Sequence, residues 1–360
     1  MDTELLRSLQ RDTGDNTDTC ETGNEYDGQL GLRVSSIFVI MAGSMIAAVF
    51  PVLVKRSSTV GAKCERIAHW AFFIAKYFGS GVIIATAFIH LLAPAEEALR
   101  DDCLAGPISE YPWVEGIILM TIVAMFLVEL MIMRHSYLGT SQQSDIFDDG
   151  GRCLGGVDNF GGRNQAKRHL PMDDNLSRPQ EHEDAEVARG NFAFVGDYAA
   201  QLIGVFILEF GIIFHSIFIG LTLAVAGSEF TALYIVLTFH QTFEGLGLGS
   251  RLAMIPWPTS RRWTPYVLGT VYGLTTPIAI AVGLGVRNTY PPSGRTTLIV
   301  NGVFDAISAG ILIYTGLIEL IAREFLFNPF MRRTPLRTVW SAFLLLCLGA
   351  GLMALLGRWA

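Results

Sequence analysis

Residues 208–227 read LEFGIIFHSIFIGLTLAVAG, and residues 230–252 read FTALYIVLTFHQTFEGLGLGSRL. Each stretch is apolar over the roughly 20 residues that an α-helix needs to cross about 30 Å of hydrocarbon. Each also carries groups that hydrocarbon disfavours: Glu209, His215 and Ser216 in the first, His240, Gln241 and Glu244 in the second. Ionisable groups inside a span are expensive and mark a transport or binding path by default. A tight turn near Gly227 joins the two stretches. His215 stands 12 residues before that glycine and His240 stands 13 after it. At 1.5 Å per residue both lie about 18–20 Å from the turn, close to the bilayer midplane. Glu244 follows His240 by one helical turn and shares its face, and Glu209 falls on nearly the same face as Ser216. Two imidazoles and a carboxylate converging in low dielectric suit a borderline transition metal such as Zn²⁺. Taken singly, each residue could instead be an interhelical hydrogen-bonder. Three at matched depth on adjacent helices favour a metal site.

The rest of the chain extends the same pattern. Of 360 residues, 51% are apolar and only 16% charged, against about a quarter charged in a soluble domain. This excludes a water-soluble globular enzyme and a disordered chain. A formal charge of −7 argues against nucleic acid as a partner, since such binders show a basic field. Eight stretches are predicted to be membrane-spanning helices: about 34–54, 67–92, 113–133, 198–226, 230–252, 263–286, 298–321 and 339–356. The fold expected is therefore an all-α integral membrane protein with the lipid bilayer as its surround. Placing the basic loops in the cytosol puts 18 of the 26 Lys and Arg residues inside. Both termini are then extracellular, and the long loop between helices 3 and 4 is cytosolic.

Four regions result. Residues 1–32 carry eight acidic residues and two arginines, lack the basic start and apolar stretch of a secretory signal, and read as an extracellular acidic tail. Residues 33–133 hold helices 1–3. Residues 134–196, rich in Gly, Asp, Asn and Arg, read as a disordered cytosolic loop. Residues 197–360 hold helices 4–8 with the metal site. Cys20 and Cys103 both face the exterior in this topology, where they either pair or remain free thiols. His90 ends span two beside Glu96 and Glu97, an acidic outer mouth able to gather cations. Glu319, near the opposite end of span seven, is a candidate exit ligand, or reaches the headgroups near Arg323. Lys76 reads as a counter-ion or a snorkelling residue. Thr275, Thr276 and Pro277 near the middle of span six suggest either a broken helix or an ordinary proline kink.

HSIFIGLTLAVAG (215–227) followed by FHQTFEGLGLGSRLA (239–253) closely resembles the span-four and span-five signatures of the ZIP (Zrt/Irt-like) metal transporter family. FIHLLAPAEE (88–97) and SAGILIYTGLIEL (308–320) resemble it too, as does the eight-span layout, and the similarity is strongest to fungal plasma-membrane zinc permeases. The resemblance implies import of divalent metal, chiefly Zn²⁺, toward the cytosol, with zinc as transported substrate and no prosthetic cofactor. It implies a site between spans four, five and six formed by His215, His240, Gln241 and Glu244. Ser216 stands where bacterial relatives carry Asn, and Glu319 matches an acid lining the inner exit. It also implies a homodimer and elevator-like motion. Two departures matter: Thr276 and Ile219 replace family acids, which leaves a single-metal site of His215, His240 and Glu244 as the firmer expectation. A broader Fe²⁺/Mn²⁺/Zn²⁺ transporter is the alternative. From other classes, an intramembrane zinc hydrolase is disfavoured by the absence of HExxH, and a metal-sensing receptor would bind without flux.

Overall fold

The computed structural model describes residues 20, 23–57, 62–104, 106–148 and 180–359. Most of the long hydrophilic insert (149–179) and residues 1–19 of the acidic tail lie outside the described residues. The described residues are all-helical, with no strand among them. That follows from the solvent: only a helix or a closed barrel satisfies every backbone group within hydrocarbon.

In chain order, α1 spans Leu30–Ser57 and α2 spans Ala62–Ala85. A π-helical segment, Thr86–Leu92, leads from α2 into the short α3, Ala93–Leu99. A single turn, α4 (Pro107–Glu110), precedes α5, Trp113–Asp148, and then comes α6, Gln180–Val225. Helix α7 spans Phe230–Met254, α8 spans Thr264–Val286 and α9 spans Arg295–Tyr314. A second π-helical segment, Thr315–Phe327, extends α9, and α10 (Pro329–Arg333) and α11 (Leu336–Leu356) complete the chain. Each of the eight predicted spans falls on one of these helices, or on a helix with its π-helical extension, and the helices are mostly longer than the spans. Helices α5 and α6 run on into the insert over residues 134–148 and 180–196, because extending an existing helix costs far less than nucleating one.

Seven of the described helices are long and apolar enough to cross a membrane. The eighth predicted span, α7, has 25 residues and so a length of about 38 Å. Its hydropathy is diluted by the same His240, Gln241 and Glu244 that set it apart, so the helix carrying most of the candidate site is the least lipid-like.

The chain divides into two units, Met1–Met125 with Ile203–Ala360, and Phe126–Leu202. The second holds the end of α5 and the beginning of α6. Within the first, α7 lies against α1, α2 and α8. Close approach on two sides depends on glycine: a Cβ on Gly247 would meet Gly79 of α2, and one on Gly249 would collide with the Ala48 backbone of α1. Small residues of this kind let membrane helices approach to backbone contact.

At the Gly227 end of this unit, Arg33 is fully buried. Its guanidinium donates to the carbonyls of Leu223 (3.2 Å), Ala224 (2.9 Å) and Ala226 (2.6 Å), where α6 ends. It also pairs with Asp27 at 2.7 Å and stacks 4.4 Å above the Phe230 ring that opens α7. One cation thus satisfies carbonyls left open by the end of one site helix and fixes the start of the other. The described part of the tail is packed rather than free: Asn24 donates to the Tyr290 carbonyl (2.9 Å), and Glu25 lies over Gly227. Cys20 and Cys103 form a disulfide, with Cα atoms 4.9 Å apart. Pairing, one of the two readings open from sequence, is the one realised.

At the opposite end two ion pairs are buried in the bundle. Arg251 of α7 pairs with Glu319 of the second π-helical segment. Lys76 of α2 lies 2.6 Å from Glu324, which also accepts a 2.8 Å hydrogen bond from the Tyr77 hydroxyl. Lys76 is therefore a counter-ion.

Candidate metal centre

His215 sits on α6, and His240, Gln241 and Glu244 sit on α7, joined by the turn at Gly227. All of them, with Ser216, are buried. The His215 and His240 rings lie 5.7 Å apart, centroid to centroid. One ligand atom from each of His215, His240 and Glu244 can be chosen so that all lie within 4.8 Å of one another. A tetrahedral zinc holds neighbouring ligands about 3.4 Å apart, so modest side-chain rotation closes the group around an ion. Nε2 of His240 is 3.4 Å from Oε1 of Glu244, the one-turn spacing bringing both onto one face.

Several polar atoms of this group make no hydrogen bond among the described residues. His215 Nε2, both nitrogens of His240, both oxygens of Glu244 and Oε1 of Gln241 are buried with no hydrogen-bond partner among the described residues. Buried polar atoms are almost always hydrogen-bonded, so such a concentration is the signature of a site shaped for a ligand. The surrounding contacts orient the group. Nδ1 of His215 lies 3.4 Å from Asp305 Oδ1 of α9, which leaves Nε2 as the nitrogen facing the cluster. Gln241 Nε2 donates to Ser216 Oγ (3.3 Å), and the Tyr272 hydroxyl of α8 donates to the Gln241 carbonyl (2.7 Å).

The other predicted residues are placed differently. His90 is not grouped with Glu96 and Glu97 at an exposed mouth. It is buried on the first π-helical segment, edge-on to His240 at 4.5 Å, and its Nε2 lies 3.0 Å from the Met353 carbonyl. The π-helical turn adds a residue relative to α-helical phase, which turns His90 inward while Glu96 turns to Arg100 at 3.1 Å. Glu97 is exposed on α3. Glu319 is buried and engaged by Arg251 rather than open to headgroups. Helix α8 is not broken at Pro277. The carbonyl the proline releases, that of Gly273, accepts from Ser44 Oγ at 3.3 Å. Thr276 is buried with its hydroxyl unpartnered among the described residues.

Three features escaped sequence reasoning. Asp305 lies inside predicted span seven, but its contact with His215 joins residues 90 apart. Arg251 closes predicted span five, two turns beyond Glu244 on one continuous helix, with nothing in the sequence to name Glu319 as its partner. The π-helical segments have no sequence signal.

Fold and cluster together define a multi-pass α-helical membrane protein with a buried His/His/Glu group placed closely enough to hold a metal ion. Over residues 30–357 the chain matches the family described as ZIP Zinc transporter, and it belongs to that family. It is 41% identical to Zinc-regulated transporter 2 of Saccharomyces cerevisiae, covering 96% of this chain and 98% of the relative. It is 39% identical to Zinc-regulated transporter 1 of Schizosaccharomyces pombe, covering 94% and 87%. It is 32% identical to Zinc transporter 3 of Arabidopsis thaliana, covering 95% and 89%.

Proposed function

We propose that this protein imports Zn²⁺ across the plasma membrane toward the cytosol, as a transporter and not an enzyme, through a midplane site of His215, His240 and Glu244 with Gln241 and Ser216 beside it. The observation that carries this reading is the set of buried, partnerless nitrogen and oxygen atoms on α6 and α7. Two imidazoles and a carboxylate match zinc's preference for nitrogen and oxygen ligands and leave a position open for the ion's onward exchange. Glu96 and Glu97 gather cations on the outer side, and Glu319 receives the ion on the inner side. The protein works as a homodimer in the bilayer.

Uptake of radioactive zinc into proteoliposomes tests the function. Uptake is expected to saturate with zinc and to resist competition by iron and manganese. Equal competition by iron moves the assignment to a broad divalent transporter, and tight binding without flux refutes transport. Protons compete with metal for imidazole nitrogens and carboxylate oxygens. Lowering the outer pH from about 7 to about 5 should therefore reduce the rate several-fold.

Both termini are placed outside, with residues 1–32 as the outer tail and 134–196 as the cytosolic loop linking the bundle halves 33–133 and 197–360. Two independent observations support this: the charge bias of the loops, and a disulfide between the tail and the α3–α4 loop, which persists only on the oxidising side. On intact cells a membrane-impermeant maleimide should label Cys20 and Cys103 only after an impermeant reductant is added. Labelling that requires permeabilised cells would reverse the orientation.

A further inference from the structure

We propose that Glu209 is a second metal-binding station, a carboxylate that takes the divalent ion between the His215/His240/Glu244 cluster and Glu319. The proposal rests on the reading that zinc crosses through that cluster.

Glu209 is buried, and neither of its carboxylate oxygens has a hydrogen-bond partner among the described residues. The other buried acids away from the cluster are engaged: Asp305 with His215, Glu319 with Arg251, and Glu324 with Lys76 and Tyr77. An acid whose role is to hold helices together makes a bond, and Glu209 makes none among the described residues. A carboxylate kept in a membrane interior without a partner marks an ion path by default.

Its position fits a path. Helix α6 runs beside α9 and its π-helical extension in antiparallel register. His215 faces Asp305, Gly211 abuts Ile311 and Leu312, and Gly204 abuts the Glu319 carboxylate. Glu209 stands six residues before His215 and five after Gly204, about 9 Å and about 7.5 Å along the helix. The cluster and Glu319 are about 16 Å apart along α6, and Glu209 stands between them in height. Glu209 also lies seven residues before Ser216, on nearly the same helix face, and Ser216 is hydrogen-bonded to Gln241 of α7. The acid is therefore on the side of α6 turned to the other ligand helix. A lone carboxylate holds zinc less tightly than two imidazoles and a carboxylate together, which suits a station the ion must leave.

The test is zinc uptake by Glu209→Gln, a variant that keeps the side chain's size and polarity and removes its ability to carry a negative charge. The maximal rate is expected to fall about tenfold or more, with the half-saturating zinc concentration within about twofold of wild type. A wild-type maximal rate overturns the proposal, because a merely structural neutral acid predicts that result. A second readout does not depend on transport. In a Cys64→Ser/Cys153→Ser/Cys347→Ser background, Glu209→Cys should give a cadmium–thiolate absorption band when the purified protein is titrated with Cd²⁺, and absence of the band overturns the station. His240→Ala, measured alongside, separates the two ideas. If it retains uptake, the midplane site is wrong. If it loses uptake while Glu209→Gln keeps it, only the station is wrong.

Discussion

Zinc uptake by the His240→Ala/Glu244→Ala variant is expected to fall by at least about 100-fold, since loss of even an outer-shell partner commonly costs 10–100-fold in metal affinity. The double change removes two of three ligands from one face of α7 and leaves His215 alone. The apo protein should nevertheless fold. His240 and Glu244 are buried and contact each other at 3.4 Å, but none of their polar side-chain atoms makes a hydrogen bond among the described residues, so the relief of burying them unsatisfied offsets much of the cavity left by truncation. Thermal unfolding of the apo variant in detergent should therefore stay within about 5 °C of the apo wild type. Stabilisation by added zinc should vanish, where wild type gains about 2.7 kcal/mol at a zinc concentration 100 times its Kd. Normal surface level with normal uptake would refute the site. A collapse of apo stability would assign these residues a packing role instead.

The second large effect is on folding. Arg33→Met should destabilise the protein by roughly 2–4 kcal/mol, the cost of leaving buried helix-end carbonyls without their charged donor. It should lower the unfolding midpoint by about 5–10 °C. Methionine keeps much of the length and apolar stem but none of the donors. The carbonyls of Leu223, Ala224 and Ala226 would lose their guanidinium partner, and Asp27 would lose its counter-ion. The position is sensitive because the α6–α7 turn sets the relative height of His215 and His240. Arg33→Lys should rescue only in part, since an ammonium lacks the planar fork that reaches several carbonyls and stacks on Phe230. A midpoint within about 1 °C of wild type would show that water or lipid headgroups replace the arginine at that helix end.

Much of the fold was legible because membrane insertion is governed by quantities that add along the chain. Runs of apolar residues locate the spans, and a helix covers each of them, although α5 and α6 extend beyond theirs. The height match of His215 and His240 was legible for a related reason: a short turn and a constant rise per residue convert sequence distance into depth. The pairings of Asp305, Arg251 and Glu324 were not legible, since a charge inside a span says that a partner is needed without saying which. His90 shows the same limit. Its distance from Glu96 and Glu97 in sequence put it with them, whereas a π-helical turn sends its ring to His240.

By itself, then, the sequence determined that this chain crosses a membrane as helices, and that two adjacent helices bring imidazoles and a carboxylate to one level. Those are consequences of hydropathy and of fixed helical geometry, both local. The tertiary structure alone decided how each helix is rotated about its axis and which neighbour it meets. That choice seats α7 against α1 and α2 through Gly249 and Gly247, turns His215 toward Asp305, and leaves Glu209 without a partner among the described residues. The physical reason is that rotation and neighbour are set by side-chain packing summed over many distant residues, and no window of sequence contains that sum.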